Sequence, residues 1–190
     1  FAGNYLGSPF NPFETDGDPN VDGFRPTNLQ PLEALTIDRL EHRKELRAHL
    51  DQLRRNVDAT GALDSMDRFQ QQAYEIVTSD ATRNAFDIAS EDAKLRDRYG
   101  RHQFGQSALL ARRLVEAGST FVTVHYGGWD HHWDLKKGME NNLPIVDAAV
   151  SSLLTDLSDR GLLGKVMVML CGEFSRTPRM NDGGNGGLDG

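Results

Sequence analysis

Residues 119–134, STFVTVHYGGWDHHWD, join an apolar, β-branched run to a glycine pair and then to acidic, histidine and tryptophan side chains. Such a run favours a buried strand, and the glycines end it. Residues 165–176, KVMVMLCGEFSR, repeat the same order of an apolar run, a glycine and polar residues. The sequence therefore predicts strands over 120–126 and 166–171 that each deliver polar side chains at the carboxyl end.

An amphipathic helix is predicted before each of these strands. Residues 106–117 have helical periodicity and are followed by Gly118, a helix C-terminal signal. A second helix is predicted from about Leu143, with Pro144 in its first turn and Gly161 after its end. Alternation of helices and strands with short connections predicts an α/β fold with a mainly parallel central sheet, in which ligands bind beyond the strand carboxyl ends.

The rest of the chain divides by composition into three parts of one domain. Residues 1–35 are rich in Gly, Pro, Asn and Asp but carry scattered aromatic residues, which indicates an irregular, anchored segment. Residues 36–100 carry helical periodicity and are expected to form a cap or lateral layer, with short helices at 80–86 and from 90 to Gly100. Residues 101–190 are expected to hold the α/β core and the site.

The composition of the chain argues against a membrane span, a nucleic-acid partner and an internal disulfide. The chain has 190 residues, 38% of them hydrophobic, and no apolar run long enough to span a bilayer. A net charge of −7 argues against a nucleic-acid partner, which requires a basic face. The single cysteine, Cys171, excludes an internal disulfide and is predicted to be a small buried residue that ends its strand.

The residues after the first strand have a spacing that suits a metal ion. In an extended loop Asp130, His132 and Asp134 point to one side, while His131 and Trp133 point to the other. A carboxylate and an imidazole two residues apart can converge on one cation. Mixed oxygen and nitrogen ligands suit zinc or manganese, whereas magnesium and calcium prefer oxygens alone. The competing interpretation is a hydrogen-bonded structural histidine beside an aspartate that caps a turn.

The second strand end supplies a carboxylate and a guanidinium. Glu173 could act as a further ligand, as a partner of a ligand histidine or as a general base. Arg176 offers a planar fork of donors for a phosphate or sulfate oxyanion. By contrast, Arg112 and Arg113 are predicted to lie on the solvated face of a helix.

Long portions of the chain resemble a known family. GQSALLARRLVEAGSTFVTVHYGGWDHH, NNLPIVDAAVSSLLTDLSDRGLL and VMVMLCGEFSRTPRMN are similar to the domain-of-unknown-function 1501 (DUF1501) proteins, as are upstream segments such as YLGSPFNPFETDGDPN. The family strings resemble G-G-W-D-x-H and G-E-F-G-R-T-P, so His131 falls at the variable position. These proteins are abundant in planctomycete-type bacteria and belong to the alkaline-phosphatase/sulfatase-like superfamily.

The resemblance implies roles for four residues of this chain. Asp130 and His132 match the W-D-x-H pair and are the implied metal ligands; Glu173 and Arg176 match the G-E-F-x-R motif and are the implied catalytic residues. Ser175 departs from the glycine usual in that motif. The implied fold is an alkaline-phosphatase-like α/β sandwich.

The resemblance also implies an activity and a location. We expect part of a metal-dependent hydrolase that acts on small phosphate or sulfate esters, with zinc, manganese, magnesium or calcium as its cofactor. The alternative is a non-catalytic exported binding or assembly protein that retains the fold. A later R-D-H-W motif and a nucleophile-bearing strand are expected elsewhere in a longer chain, whose remaining parts would be partners of this one. An extracytoplasmic location, periplasmic or secreted, is expected from relatives.

Overall fold

The computed structural model describes residues 12–26, 80–131 and 134–172, and these residues are organised by helices. A short 3-10 helix, Ile88–Ser90, lies between the first two α-helices. The α-helices are α1 (Asp80–Phe86), α2 (Ala93–Tyr99), α3 (Gln103–Glu116) and α4 (Leu135–Asp159). The helices predicted within 36–77 lie outside the described residues.

The described elements are divided between two compact units. Residues 12–17 and 25–26 and α1 belong to one unit, and the predicted helix over 80–86 is confirmed there. Residues 18–24, the 3-10 helix and α2, α3 and α4 belong to the other. The candidate residues of the first strand end belong to this second unit.

Side chains at the helix ends explain where α2 and α3 begin. Asp92 caps α2 by accepting from the backbone N–H groups of Lys94 at 2.9 Å and Leu95 at 3.2 Å. Gly100 ends this helix with a φ of 93°, as its glycine signal predicts. The Nδ1 atom of His102 then accepts from Gly105 N–H at 3.0 Å, so α3 starts three residues earlier than its apolar periodicity indicates.

Helix α4 begins about two turns before the predicted start. Asp134 caps it by accepting from Lys137 N–H at 3.1 Å, so the polar segment before Leu143 is helical. Pro144 consequently lies inside the helix rather than in its first turn, and the carbonyl of Glu140 loses its usual helical donor. The core between α2, α3 and α4 is formed by buried side chains, which are Tyr99, Ala108, Leu109, Leu110, Ala149 and Leu157.

The predicted sheet is absent from the described residues, so the α/β sandwich is wrong for this part of the chain. Residues 121–126 alternate between exposed and half-buried, which is the period of an extended chain, but no ladder joins them to a neighbour. Residues 166–170 have no strand partner either. Exposure reaches 86% at Phe121 and Met167 and 75% at Met169. A β-branched run predicts an extended backbone, whereas a strand also requires a second segment to pair with.

The cysteine prediction is also wrong. Cys171 is exposed, because the segment that was expected to be a buried strand has no covering layer among the described residues. Within the same residues, no helix combines the length and apolarity needed to cross a membrane.

Candidate functional site

Residues 127–131, which we call the docked loop, are held at their start by an aromatic cluster. The ring of Tyr126 stacks on Phe104 of α3 with centroids 4.6 Å apart, and it meets the ring of Trp129 edge-on at 5.6 Å. The indole N–H of Trp129 donates to the Tyr126 carbonyl at 2.8 Å. Gly128, with a φ of 85°, provides the turn between them that other residues rarely adopt.

Helix α4 holds the same loop from its other side. The side-chain amide of Asn142 donates to the Gly128 carbonyl at 3.1 Å. The Tyr126 hydroxyl donates a longer bond, 3.4 Å, to the Asn142 side-chain oxygen. The docked loop therefore rests on α3 through ring stacking and on α4 through hydrogen bonds.

His131 makes a third contact with α4. Its imidazole occupies the space where Gly138 has no side chain, and a Cβ at that glycine would lie 2.5 Å from Nδ1 and 2.6 Å from Nε2. The Nε2 atom is buried and has no hydrogen-bond partner among the described residues. A buried polar atom without a partner is uncommon and requires an explanation.

The structure describes only some of the predicted site residues. Asp130 is exposed on the docked loop, where a solute can reach its carboxylate. Asp134 caps α4 instead of facing a site. His132, Glu173 and Arg176 lie outside the described residues, so their roles stay predictions.

The residues present fit a divalent metal only in part. The exposed Asp130 carboxylate is an oxygen donor of the kind that zinc or manganese takes, while the predicted nitrogen donor, His132, lies outside the described residues. Within 12–26, 80–131 and 134–172, however, no group of three His, Cys, Asp or Glu side chains comes together as a ligand set. A complete site therefore needs donors from beyond these residues.

A second polar cluster was missed by the sequence reasoning. We call it the Arg112 cluster, and its charged members are Glu91, Arg112, Arg113, Glu116, Asp156 and Arg160. Arg112 is 2% exposed, and its guanidinium donates to Glu91 at 2.8 Å and to Glu116 at 2.5 Å and places Nε 3.0 Å from Asp156. This last contact is an ion pair without hydrogen-bond alignment. The prediction that Arg112 is solvated is wrong.

The surrounding groups complete the charge balance. Arg160 donates to Asp156 at 2.8 Å and to Glu116 at 3.0 Å, and the Tyr99 hydroxyl donates to Asp156 at 3.0 Å. Arg113 pairs with Glu91 as well. The three guanidinium groups and three carboxylates are thus mutually compensated, which is the condition for burying charge.

Burial and pairing shift the pKa values of this cluster in opposite senses. Burial lowers the pKa of the Arg112 guanidinium, but its bonds to Glu116 and Glu91 outweigh that effect and raise the pKa. Burial raises the pKa of the Asp156 and Glu91 carboxyls, yet their arginine partners hold both below the usual range. Burial, followed by the charge of Asp156, raises the pKa of the Tyr99 hydroxyl. Arg112, Asp156, Glu91 and Tyr99 therefore keep their ordinary charge states near neutral pH.

Two sequence signals could have indicated this cluster. Arg112 with Glu116, and Asp156 with Arg160, are each four residues apart on one helix, the spacing of intrahelical ion pairs. Their burial against each other follows only from the packing of α3 on α4. Because every carboxylate already has an arginine partner, the Arg112 cluster is a structural rather than a ligand-binding arrangement.

Comparison with known proteins identifies one matching family model. The model described as "Protein of unknown function (DUF1501)" matches residues 1–189, nearly the whole chain. No curated protein and no solved structure matches the chain.

Proposed function

The chain belongs to the DUF1501 family, and we propose that it binds a divalent metal through Asp130 and His132 and takes part in hydrolysing phosphate or sulfate esters. The supporting observation is the docked loop, which holds Asp130 exposed between anchors on α3 and α4. A carboxylate fixed at its backbone but open to solvent is suited to meet a ligand.

The proposed roles divide between the two polar motifs. Asp130 and His132 are the metal ligands, and the mixed donors favour zinc or manganese over magnesium or calcium. When bound, the metal would supply Lewis-acid polarisation of the ester oxygen. Glu173 would orient a ligand histidine or remove a proton from the attacking group, and Arg176 would donate to the anionic oxygens.

The substrate class is the finer part of this proposal. It derives from the similarity of the GGWDHH and GEFSRTP strings to those of the DUF1501 family, whose resemblance implies the alkaline-phosphatase/sulfatase-like superfamily. Kinship with that superfamily, a small anionic ester as substrate and an extracytoplasmic location in a planctomycete-type bacterium are proposed together. Cell fractionation tests the location independently of the chemistry.

Metal content and turnover test the activity. We expect the purified full-length protein, with the parts of the longer chain expected above, to hold stoichiometric divalent metal and to hydrolyse an aryl phosphate or aryl sulfate. Asp130→Ala and His132→Ala should each lose the metal and most of the turnover, because each removes a ligand. Asp147→Ala, which removes an exposed carboxylate from α4, is the matched control and should change neither quantity. Turnover that persists in both ligand variants contradicts the proposal.

A different observation favours a second candidate, a non-catalytic binding or assembly protein. Large apolar side chains are exposed in the segments 121–126 and 166–170, namely Phe121, Met167, Met169 and Leu170. Apolar surface of this kind is typical of interaction sites. If assembly is the function, Phe121→Ser with Met169→Ser should reduce the molar mass measured by light scattering, while no ester turnover is detectable in the unaltered protein.

A further inference from the structure

We propose that His131 is a positioning residue, which seats its imidazole on Gly138 of α4 and thereby orients Asp130 for the metal. This inference rests on the proposed function, since it assigns Asp130 as a ligand. It concerns a residue that the family pattern leaves variable, and a glycine that no motif includes. Both lie within the described residues.

The absence of a side chain at Gly138 leaves the space on α4 that the His131 imidazole occupies. The Nδ1 and Nε2 atoms of the His131 ring would lie 2.5 and 2.6 Å from a Cβ at this position, closer than real Cβ contacts allow. Glycine is a poor residue in a helix interior, whereas alanine is the best one. A glycine in the first turns of α4 is therefore explained by the ring that lies over it.

The backbone direction connects the seat to Asp130. Successive side chains of an extended chain point to opposite sides, so a histidine directed at α4 sends its preceding neighbour away from α4. The exposures agree, because Asp130 is exposed while Nε2 of His131 is buried. Movement of the ring off Gly138 would rotate the peptide unit between them and redirect the Asp130 carboxylate.

The unpaired nitrogen indicates that this packing does not serve stability alone. A buried Nε2 without a partner among the described residues carries a desolvation penalty, which an apolar residue in the same seat would avoid. The loop is already attached to α4 by Asn142 at Gly128, and Asp134 caps the helix just beyond the loop. The contact of His131 with Gly138 lies between these two attachments, so it bears on the orientation of the preceding residue, Asp130.

The test combines Gly138→Ala, His131→Ala and the double variant, each made in the complete protein. Binding of Mn²⁺ is measured by titration calorimetry, and the thermal midpoint is measured on metal-free samples. Gly164→Ala is the matched control, because a Cβ there would meet nothing within 4 Å. It should leave both quantities unchanged.

Stability and affinity should respond differently. Gly138→Ala should lower the thermal midpoint when His131 is present and raise it in the His131→Ala background, where alanine only improves the helix. All three variants should bind Mn²⁺ about tenfold more weakly, as expected for loss of a residue that orients a ligand. A double variant that is more stable than His131→Ala but still binds Mn²⁺ weakly distinguishes a positioning role from a general loss of structure.

Each contrary outcome has a separate meaning. Affinity within twofold of the unaltered protein in Gly138→Ala overturns the positioning role while leaving the proposed metal site intact. If Gly138→Ala changes the thermal midpoint in the same direction with His131 present and in the His131→Ala background, the packing of His131 on Gly138 is overturned. If the unaltered protein binds no Mn²⁺ and no Zn²⁺, the proposed function itself fails, and this inference fails with it.

Discussion

The Arg112 cluster and the docked loop both place polar side chains next to α4, yet they differ in burial and in how closely opposite charges surround them. In the Arg112 cluster every carboxylate meets an arginine, and the central residue, Arg112, is 2% exposed. In the docked loop Asp130 is exposed, and the Nε2 atom of His131 has no hydrogen-bond partner within the described part of the chain. The difference shows that charge density by itself is a poor guide to function. An exposed carboxylate on a fixed loop is the more informative sign, because the Nε atom of Arg112 also lacks a hydrogen-bond partner although its cluster is structural.

Removing the central cation should have the largest effect on stability. Arg112→Met leaves the carboxylates of Glu91, Glu116 and Asp156 without their shared partner, and we expect a loss of about 3–5 kcal/mol in the free energy of unfolding. Urea unfolding followed by circular dichroism measures it. Arg101→Met, at an exposed pair with Asp97, should change stability by less than about 1 kcal/mol. Equal losses in the two variants would remove the distinction between buried and exposed arginines.

Acidification should have the second-largest effect on stability, because it weakens the Arg112 cluster. The pKa values of Glu91 and Asp156 are lowered in the folded protein, so their contribution is present above their unfolded values of 4.5 and 3.8. It is lost as the pH falls through the folded pKa values. Thermal midpoints from pH 6 to pH 3 should therefore decrease steeply.

Two variants separate this cluster from other carboxylates in the acid series. Asp156→Asn lacks one of the titrating groups, so its midpoint should be lower at pH 6 and should fall less on acidification. Asp97→Asn changes an exposed carboxylate and should retain the full acid dependence. A slope unchanged in Asp156→Asn contradicts the assignment.

The Tyr99 hydroxyl offers a smaller test of the same cluster. Tyr99→Phe removes the donor to Asp156 without changing the ring, and should cost about 1 kcal/mol in the free energy of unfolding. Tyr126→Phe removes a longer bond, 3.4 Å, and should cost less. Chemical denaturation of both variants ranks them, and the reverse ranking would show that the docked loop is the more tightly held region.

The smallest effect is expected at the attachment of the docked loop to α4. Asn142→Ala removes the donor to the Gly128 carbonyl, and should cost about 0.5–1 kcal/mol. Hydrogen exchange of the amides of residues 127–131 should become faster, whereas the amides of α3 should be unaffected. Asn141→Ala, at the exposed neighbouring position, is the control. Unchanged exchange in Asn142→Ala means that the aromatic contacts hold the loop alone.

Much of the helical structure could be predicted from local signals. The limits of α1 and the glycine that ends α2 follow from residues within a few positions of each other. The starts of α3 and α4 were placed too late because His102 and Asp134 act as caps ahead of the apolar periodicity. Histidine is an uncommon helix cap, so the start of α3 is not evident from His102. The first turns of α4 are polar, so they lack the apolar periodicity that indicates a helix.

The candidate site was predictable in part. The GGWDHH motif identified the docked loop and Asp130, because glycines and clustered ligand-type residues are local features. The seat of His131 on Gly138 could not be read from the motif, since it depends on how the loop meets α4. The solvated interpretation of Arg112 was wrong for the same reason: an arginine on a helix has no visible partner until another helix supplies Asp156.

The family, the helix-forming segments and the period-two character of 121–126 follow from the amino-acid sequence alone, because motifs, caps and side-chain periodicity act over a few residues. Three features instead depend on tertiary packing: which charges are buried, which imidazole packs on α4, and the lack of a strand partner for these extended residues in the described part of the chain. Those outcomes depend on contacts between residues far apart in the chain. A side chain's type limits such contacts, but the packing of the elements selects among them.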